Sequence, residues 1–156
     1  MFHLNTRRFG RVMELLIAKE LGLQDSKTSE YDLTDEQGTR YEVKFSRAFK
    51  KYNKPITMEN LKEAVLLDTT PLASTTKEAF DCNIQQVKPK LFDYLIYGIV
   101  FTDTTFVYKV PSSEIENLPQ YSNKQHRGNV GEGQFHMKHS NIDAHQKYLL
   151  FSKSML

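Results

Sequence analysis

Phe9, Val12, Met13, Leu16, Ile17 and Leu21 recur three or four residues apart. That spacing builds one apolar stripe and predicts a helix over roughly 6–21. Gly22 is its C-terminal stop, and Arg7, Arg11 and Glu14 share the opposite face at the same spacing. The period then falls to two. Across 39–45, Tyr41, Val43 and Phe45 alternate with Arg40, Glu42 and Lys44, as in a half-buried strand. Tyr31-Asp32-Leu33 is a shorter strand. The intervening Thr34-Asp35-Glu36-Gln37-Gly38 reads as a hairpin loop in which Gly38 supplies a positive φ. This pairing sets Asp32 and Glu42 on neighbouring antiparallel strands.

Further along, a helix is expected over 57–67 with Thr57 as its cap. Thr75-Thr76-Lys77-Glu78 has the form of a capping box for a second helix over about 76–88, ending before Pro89. Residues 92–101 are nearly all apolar and aromatic and make the best central strand. Residues 105–110 pair with it through the Thr102-Asp103-Thr104 turn, and Pro111 ends that strand. The stretch 119–141 is polar and glycine-rich, an ordered loop or irregular hairpin, and 142–151 forms a last helix or strand. The order of elements predicts a single domain over 1–156, an α/β or α+β sandwich around a mixed sheet.

Composition narrows the classes. With 156 residues, 39% of them hydrophobic, ten Phe and eight Tyr, the chain has the material for one packed core and is unlike a disordered segment. No apolar run approaches the length of a membrane span, and Met1-Phe2-His3-Leu4-Asn5 lacks the pattern of a signal peptide. A lone cysteine, Cys82, excludes a disulfide framework and a cysteine-based zinc site, reads as a small buried side chain, and points to the cytoplasm. The net charge of +2 identifies no partner by itself. Its distribution says more: six basic residues (Arg40, Lys44, Arg47, Lys50, Lys51 and Lys54) face one acid, Glu42, between 40 and 54, and four of the five histidines fall between 126 and 145. Such a local excess suits a surface that meets phosphates, or simply a solvated basic face.

The residues with the sharpest chemical meaning are Asp32, Glu42 and Lys44, spaced D-x9-E-x-K. Two carboxylates on adjacent strands attract a hard divalent cation. Such a metal acidifies bound water and offsets charge on a phosphate oxygen. A lysine on the same strand face can position that water, help deprotonate it, or bind the phosphate. Glu42 and Lys44 also fit an exposed charge pair, with Asp32 a strand-end residue. Glu14 fits either a further ligand or an i,i+3 salt bridge with Arg11.

On these residues the chain resembles the PD-(D/E)xK nucleases, and among them the type II restriction endonucleases. The motif is Asp32 followed by Glu42-Val43-Lys44. The run Asn83-Ile84-Gln85-Gln86-Val87-Lys88-Pro89-Lys90-Leu91-Phe92-Asp93-Tyr94-Leu95 and the segment from Gln125 to His136 are similar to stretches of that class. Two features depart from it: Tyr31, not proline, precedes Asp32, and the family's first core strand has no clear counterpart, 23–30 being short and polar. The resemblance implies a restriction-endonuclease-like fold, a mixed central sheet flanked by helices, with a catalytic core over about 6–110. It implies Mg2+-dependent hydrolysis of double-stranded DNA to 5′-phosphate ends, with Mn2+ able to substitute, and a bacterial cytoplasmic restriction system as its setting. Asp32, Glu42 and Glu14 then hold the metal, and Lys44 serves the attacking water.

The 119–141 segment is the expected DNA-recognition loop. Arg127 can bridge the guanine edge, and Gln125, Asn129 and Gln134 the adenine edge. His126 and Lys138 add further contacts, Gly128, Gly131 and Gly133 let the backbone approach closely, and Arg47, Lys50 and Lys51 grip phosphates. Gln85 and Gln86 are expected on a helix, either behind the site or facing solvent. Two rivals remain. One is an HNH-type nuclease built on His126, Asn129, His136, His139 and His145. The other is a non-catalytic DNA-binding protein. Cutting both strands asks for a homodimer, or for a monomer that nicks twice.

Overall fold

The computed structural model describes residues 1–125 and 130–156. Helix α1 spans Thr6–Leu21, opened by Asn5, whose side chain accepts from the Arg8 N–H at 3.0 Å. It is closed by Gly22 at φ 65°, whose N–H reaches the Ala18 carbonyl. Phe9, Met13 and Ile17 of the apolar stripe are buried.

The chain continues through β1 (Gln24–Asp25), β2 (Leu33–Thr34), β3 (Arg40–Arg47), α2 (Leu61–Asp68), β4 (Asp81–Val87), β5 (Tyr94–Val100) and β6 (Thr105–Pro111). It ends with β7 (Ser122–Lys124), β8 (Val130–Lys138) and β9 (Leu149–Lys153). Six strands form a mixed sheet in the order β1-β2-β3-β5-β6-β9, in which β3 and β5 run parallel and every other neighbouring pair antiparallel. A parallel pair needs a long crossover, and the connection from β3 to β5 carries both α2 and β4. A second sheet has the order β4-β8-β7.

The two faces of the large sheet have different covers. Ile17 of α1 and Leu33 pack with Tyr41, Val43, Ile96 and Val107. On the other face Leu95, Tyr97, Ile99, Tyr108 and Val110 pack with Cys82, Ile84, Val87, Phe135 and Met137 of the small sheet. Strand β5 is buried on both faces, which is why its sequence reads as an unbroken apolar run.

The mixed sheet and the α+β class agree with the expectation. The flanking by helices holds on one face only, since a sheet covers the other. The reason lies at 76–88, where a helix was expected and β4 forms instead. The Thr76 hydroxyl does accept from the Glu78 N–H, at 3.0 Å, but it closes one turn. Beyond it Phe80, Cys82 and Ile84 are buried and alternate with Asp81, Asn83 and Gln85, and burial of that period-two face decides the state. The helix expected over 57–67 starts later, at Leu61, because the Asn60 side chain accepts from the Thr57 N–H at 2.8 Å and holds 57–60 in a turn. Within 119–141 the described residues hold strands β7 and β8, paired antiparallel with register shifts. The final stretch is a 3-10 turn, Ile142–Tyr148, leading into β9.

His145 lies in the core with no exposed surface, its Nδ1 2.9 Å from the Tyr97 hydroxyl and its Nε2 without a partner. Burial pulls its pKa down to about 4. The folded state therefore binds fewer protons than the unfolded state once pH drops below the ordinary histidine value. Stability is full above about pH 6.5 and falls toward pH 4, by about 3 kcal/mol in all. Urea unfolding at pH 7.5, 5.5 and 4 reads this loss, and the Tyr97→Phe/His145→Phe variant is expected to remove its histidine part.

Candidate active site

Strand β2 pairs with β3 for only two residues, Leu33 with Tyr41 and Thr34 with Arg40, and then departs. Asp32 stands at the point of departure. Its N–H donates to the Tyr41 carbonyl at 3.0 Å, and its Oδ2 accepts from the Val43 N–H at 2.8 Å. The side chain thus replaces the backbone acceptor that β2 no longer supplies. The register brings Asp32 beside Glu42, as the hairpin pattern predicts.

Glu42 and Lys44 lie on the face of β3 that meets the small sheet, next to Leu95 and Tyr97 of β5. Glu42 is 9% exposed, and Lys44 Nζ contacts its Oε1 at 2.5 Å. Burial pushes the Glu42 carboxyl above its ordinary value. Lys44 opposes that rise, and the charges of Asp32 and Glu14 add to it. Both acids therefore lie within electrostatic reach of Glu42. Glu14 stands on α1, and its Oε2 accepts from Arg11 at 2.9 Å. Arg11 in turn grips both oxygens of Asp25 on β1, at 3.1 and 2.7 Å. Of the two readings of Glu14, the i,i+3 pair with Arg11 is present.

Proximity has not made a cage. Among the described residues no three His, Cys, Asp or Glu side chains are arranged to hold a metal ion. One oxygen of each acid is engaged, by Lys44, by the Val43 amide and by Arg11. The donor chemistry, carboxylate oxygens with a free lone pair each, nevertheless suits a hard divalent cation.

The expected DNA contacts divide. Arg47 points back to the N-terminal segment, where its Nη1 donates to the carbonyls of Met1, Phe2 and Leu4 at 3.4, 3.2 and 2.6 Å, and its guanidinium lies over Phe9. Lys50 pairs with Glu78 and Lys51 with Asp81, both at 3.4 Å. Gln125 Oε1 accepts from the Gln86 N–H at 3.1 Å, while Gln134 and Lys138 sit on strand β8 rather than in a loop. His126, Arg127 and Asn129 lie outside the described residues. The remaining HNH candidates have separate partners: His136 bonds Asp81 at 2.6 Å, His139 packs edge-on against Phe80, and His145 is sealed in the core.

Sequence reasoning missed the cluster at the start of β4. Burial alone would raise the Asp81 carboxyl, but His136, Lys138 and Lys51 outweigh it and hold it below its ordinary range. Asp81 and His136 are 55 residues apart and meet only through the β4–β8 pairing. Gln86 was also misjudged. It adopts φ 56° at the β4 bulge between Ile84 and Val87, a conformation uncommon outside glycine and a mark of local constraint.

Searches of protein-family models and of curated proteins find no match to this chain. Among the described residues no helix is long and apolar enough to cross a membrane.

Proposed function

We propose that this protein is an Mg2+-dependent endodeoxyribonuclease acting on double-stranded DNA, with a restriction-endonuclease-like core and the sequence specificity of a type II restriction enzyme. The observation that carries the reading is the meeting of Asp32, Glu42 and Lys44 where the β2–β3 pairing ends, with Glu14 in electrostatic reach. Asp32, Glu42 and Glu14 are the residues to hold Mg2+ or Mn2+. The ion, when bound, supplies an acidified water and relief of charge on the phosphate. Lys44 orients that water and exchanges a proton through Nζ. Glu42 keeps Nζ in place until DNA and cation compete for the pair. The parallel pairing of β3 with β5 fixes Glu42 and Lys44 relative to each other. Two such sites in a homodimer, or successive visits by one, complete a double-strand break.

The closed Glu42–Lys44 pair favours one rival, a non-catalytic DNA-binding protein. Purified protein incubated with plasmid and phage DNA, with and without Mg2+, separates the two. Discrete fragments that need Mg2+ are expected. A smear means cleavage without sequence preference, and DNA that is bound yet intact overturns the nuclease reading.

A further inference from the structure

Asp81, at the start of β4, meets three basic side chains from two other segments. His136 Nδ1 lies 2.6 Å from its Oδ1, and Lys51 Nζ and Lys138 Nζ lie 3.4 and 3.9 Å from its Oδ2. Backbone pairing brings them together. The Lys51 N–H donates to the Ala79 carbonyl at 3.0 Å, and the β4–β8 register sets Lys138 opposite Asp81 and His136 opposite Asn83. Nearby cations are matched: Lys50 pairs with Glu78, and Arg47 donates to three carbonyls. Among the described residues, by contrast, Asp81 is the one acid paired with Lys51, His136 and Lys138. One carboxylate leaves most of their donors unused. An ammonium carries three N–H groups. Lys51 gives one to Asp81, and Lys138, at 3.9 Å, is too far to give any. The side chains of Lys51, His136 and Lys138 are 46, 30 and 30% exposed, so an anion from solvent can reach them.

A phosphate group, with several acceptor oxygens and a fixed charge, matches convergent cationic donors of this kind. The cluster also has a place relative to the candidate active site. Lys44 and Ser46 share one face of β3, two residues or about 7 Å apart. Cys82 Sγ donates to the Arg47 carbonyl at 3.6 Å, which holds the start of β4, and Asp81 with it, beside the end of that strand. We propose that Lys51, Lys138 and protonated His136 form one phosphate site that anchors the DNA backbone along β3 from Lys44. Asp81 keeps the three cations together while the site is empty, and the phosphate takes the donors that Asp81 leaves unused. With Nδ1–H kept on Asp81, His136 Nε2 donates only when the ring carries both protons, so binding tightens as pH falls. The charged groups gathered with His136 are Asp81 from β4, Lys51 from the connection after β3 and Lys138 from its own strand. The inference rests on the nuclease reading for the source of the phosphate, and gives that reading a second anchor and a pH dependence.

The test measures binding of the full chain to a fluorescent DNA duplex in EDTA, at pH 8 and pH 6. Wild-type binding is expected to tighten by about fivefold at pH 6, the scale of one added charge-assisted contact near the surface, and His136→Gln should remove that gain. Lys51→Gln and Lys138→Gln should each weaken binding by about fivefold. Together they should cost less than the product, because both hold the same phosphate and it is lost only once. The slope of log K against log salt should flatten by about one in the double variant. An unchanged pH dependence in folded His136→Gln protein overturns the proposal, as do lysine losses that multiply. Should His136→Gln not fold, the two exposed lysines decide. Inorganic phosphate is the second probe. If it shifts the His136 ring signals in NMR while the three variants bind DNA as wild type does, the site takes a free anion and the DNA assignment is overturned. Plasmid cleavage in Mg2+ is read separately. Coupled lysine losses with uncut plasmid keep the phosphate site and remove the nuclease reading, whereas cleavage with unaltered DNA binding in all three variants does the reverse.

Discussion

Glu42→Gln is expected to lower the Mg2+-dependent cleavage rate by at least about 100-fold while making the folded protein more stable at neutral pH. The rate loss is the ordinary scale for removing a catalytic group. The gain in stability follows from the environment of Glu42. Its carboxyl is buried, lies near the charges of Asp32 and Glu14, and is raised despite Lys44. A raised carboxyl contributes its full stability below its unfolded pKa, and that contribution is lost as pH rises through the folded value. A neutral amide of the same shape escapes the loss. Melting temperatures should therefore favour the variant at pH 8 and converge with wild type at pH 4. Lys44→Ala should match the rate loss and show the opposite stability effect, because Glu42 is then buried without its cation. A purely structural ion pair predicts lower stability for both variants and no change in rate. Wild-type cleavage by Glu42→Gln would falsify the catalytic assignment. Stability that rewards removal of a buried charge, set against activity that needs it, is the pattern of a functional site.

Gly98→Ala is expected to cost about 3 kcal/mol or more through overpacking, a large share of the roughly 5–15 kcal/mol that holds a domain together. A Cβ at this position, in the middle of β5, would fall on the Phe106 carbonyl oxygen and 2.6 Å from Phe45 Cε1. The carbonyl belongs to the β5–β6 ladder, where Gly98 pairs with Val107. It cannot retreat without opening that ladder. The Phe45 ring can move, so Gly98→Ala/Phe45→Leu should recover part of the loss and no more. For a chain of this size the single variant should melt about 6–12 °C lower. A wild-type melting temperature would show that the β5–β6 pair yields easily. The same glycine makes room for Phe45, one residue after Lys44, and so ties core packing to the candidate site.

What the sequence determined by itself was local, or local plus one hairpin. Helix α1, strand β3 and the β5–β6 pair each show their burial within a single run of residues, as a 3.6-residue stripe, an alternation, or an unbroken apolar stretch around a turn. Asp32 and Glu42 were legible together because a five-residue loop leaves their strands one register, realised in the Leu33–Tyr41 and Thr34–Arg40 pairs. Strand β4 misled because Thr76 and Glu78 do form the short-range bond of a helix start, while the force that selects the strand comes from Phe135 and Met137, more than 50 residues on. The β3–β5 pairing, the sheet that replaces a helical layer, Glu14's reach to Glu42, and the meeting of Asp81 with His136 all depend on contacts between distant segments. No residue pattern announces such a contact, because each partner alone is an ordinary polar side chain. Only burial against the rest of the chain decides which of them face one another.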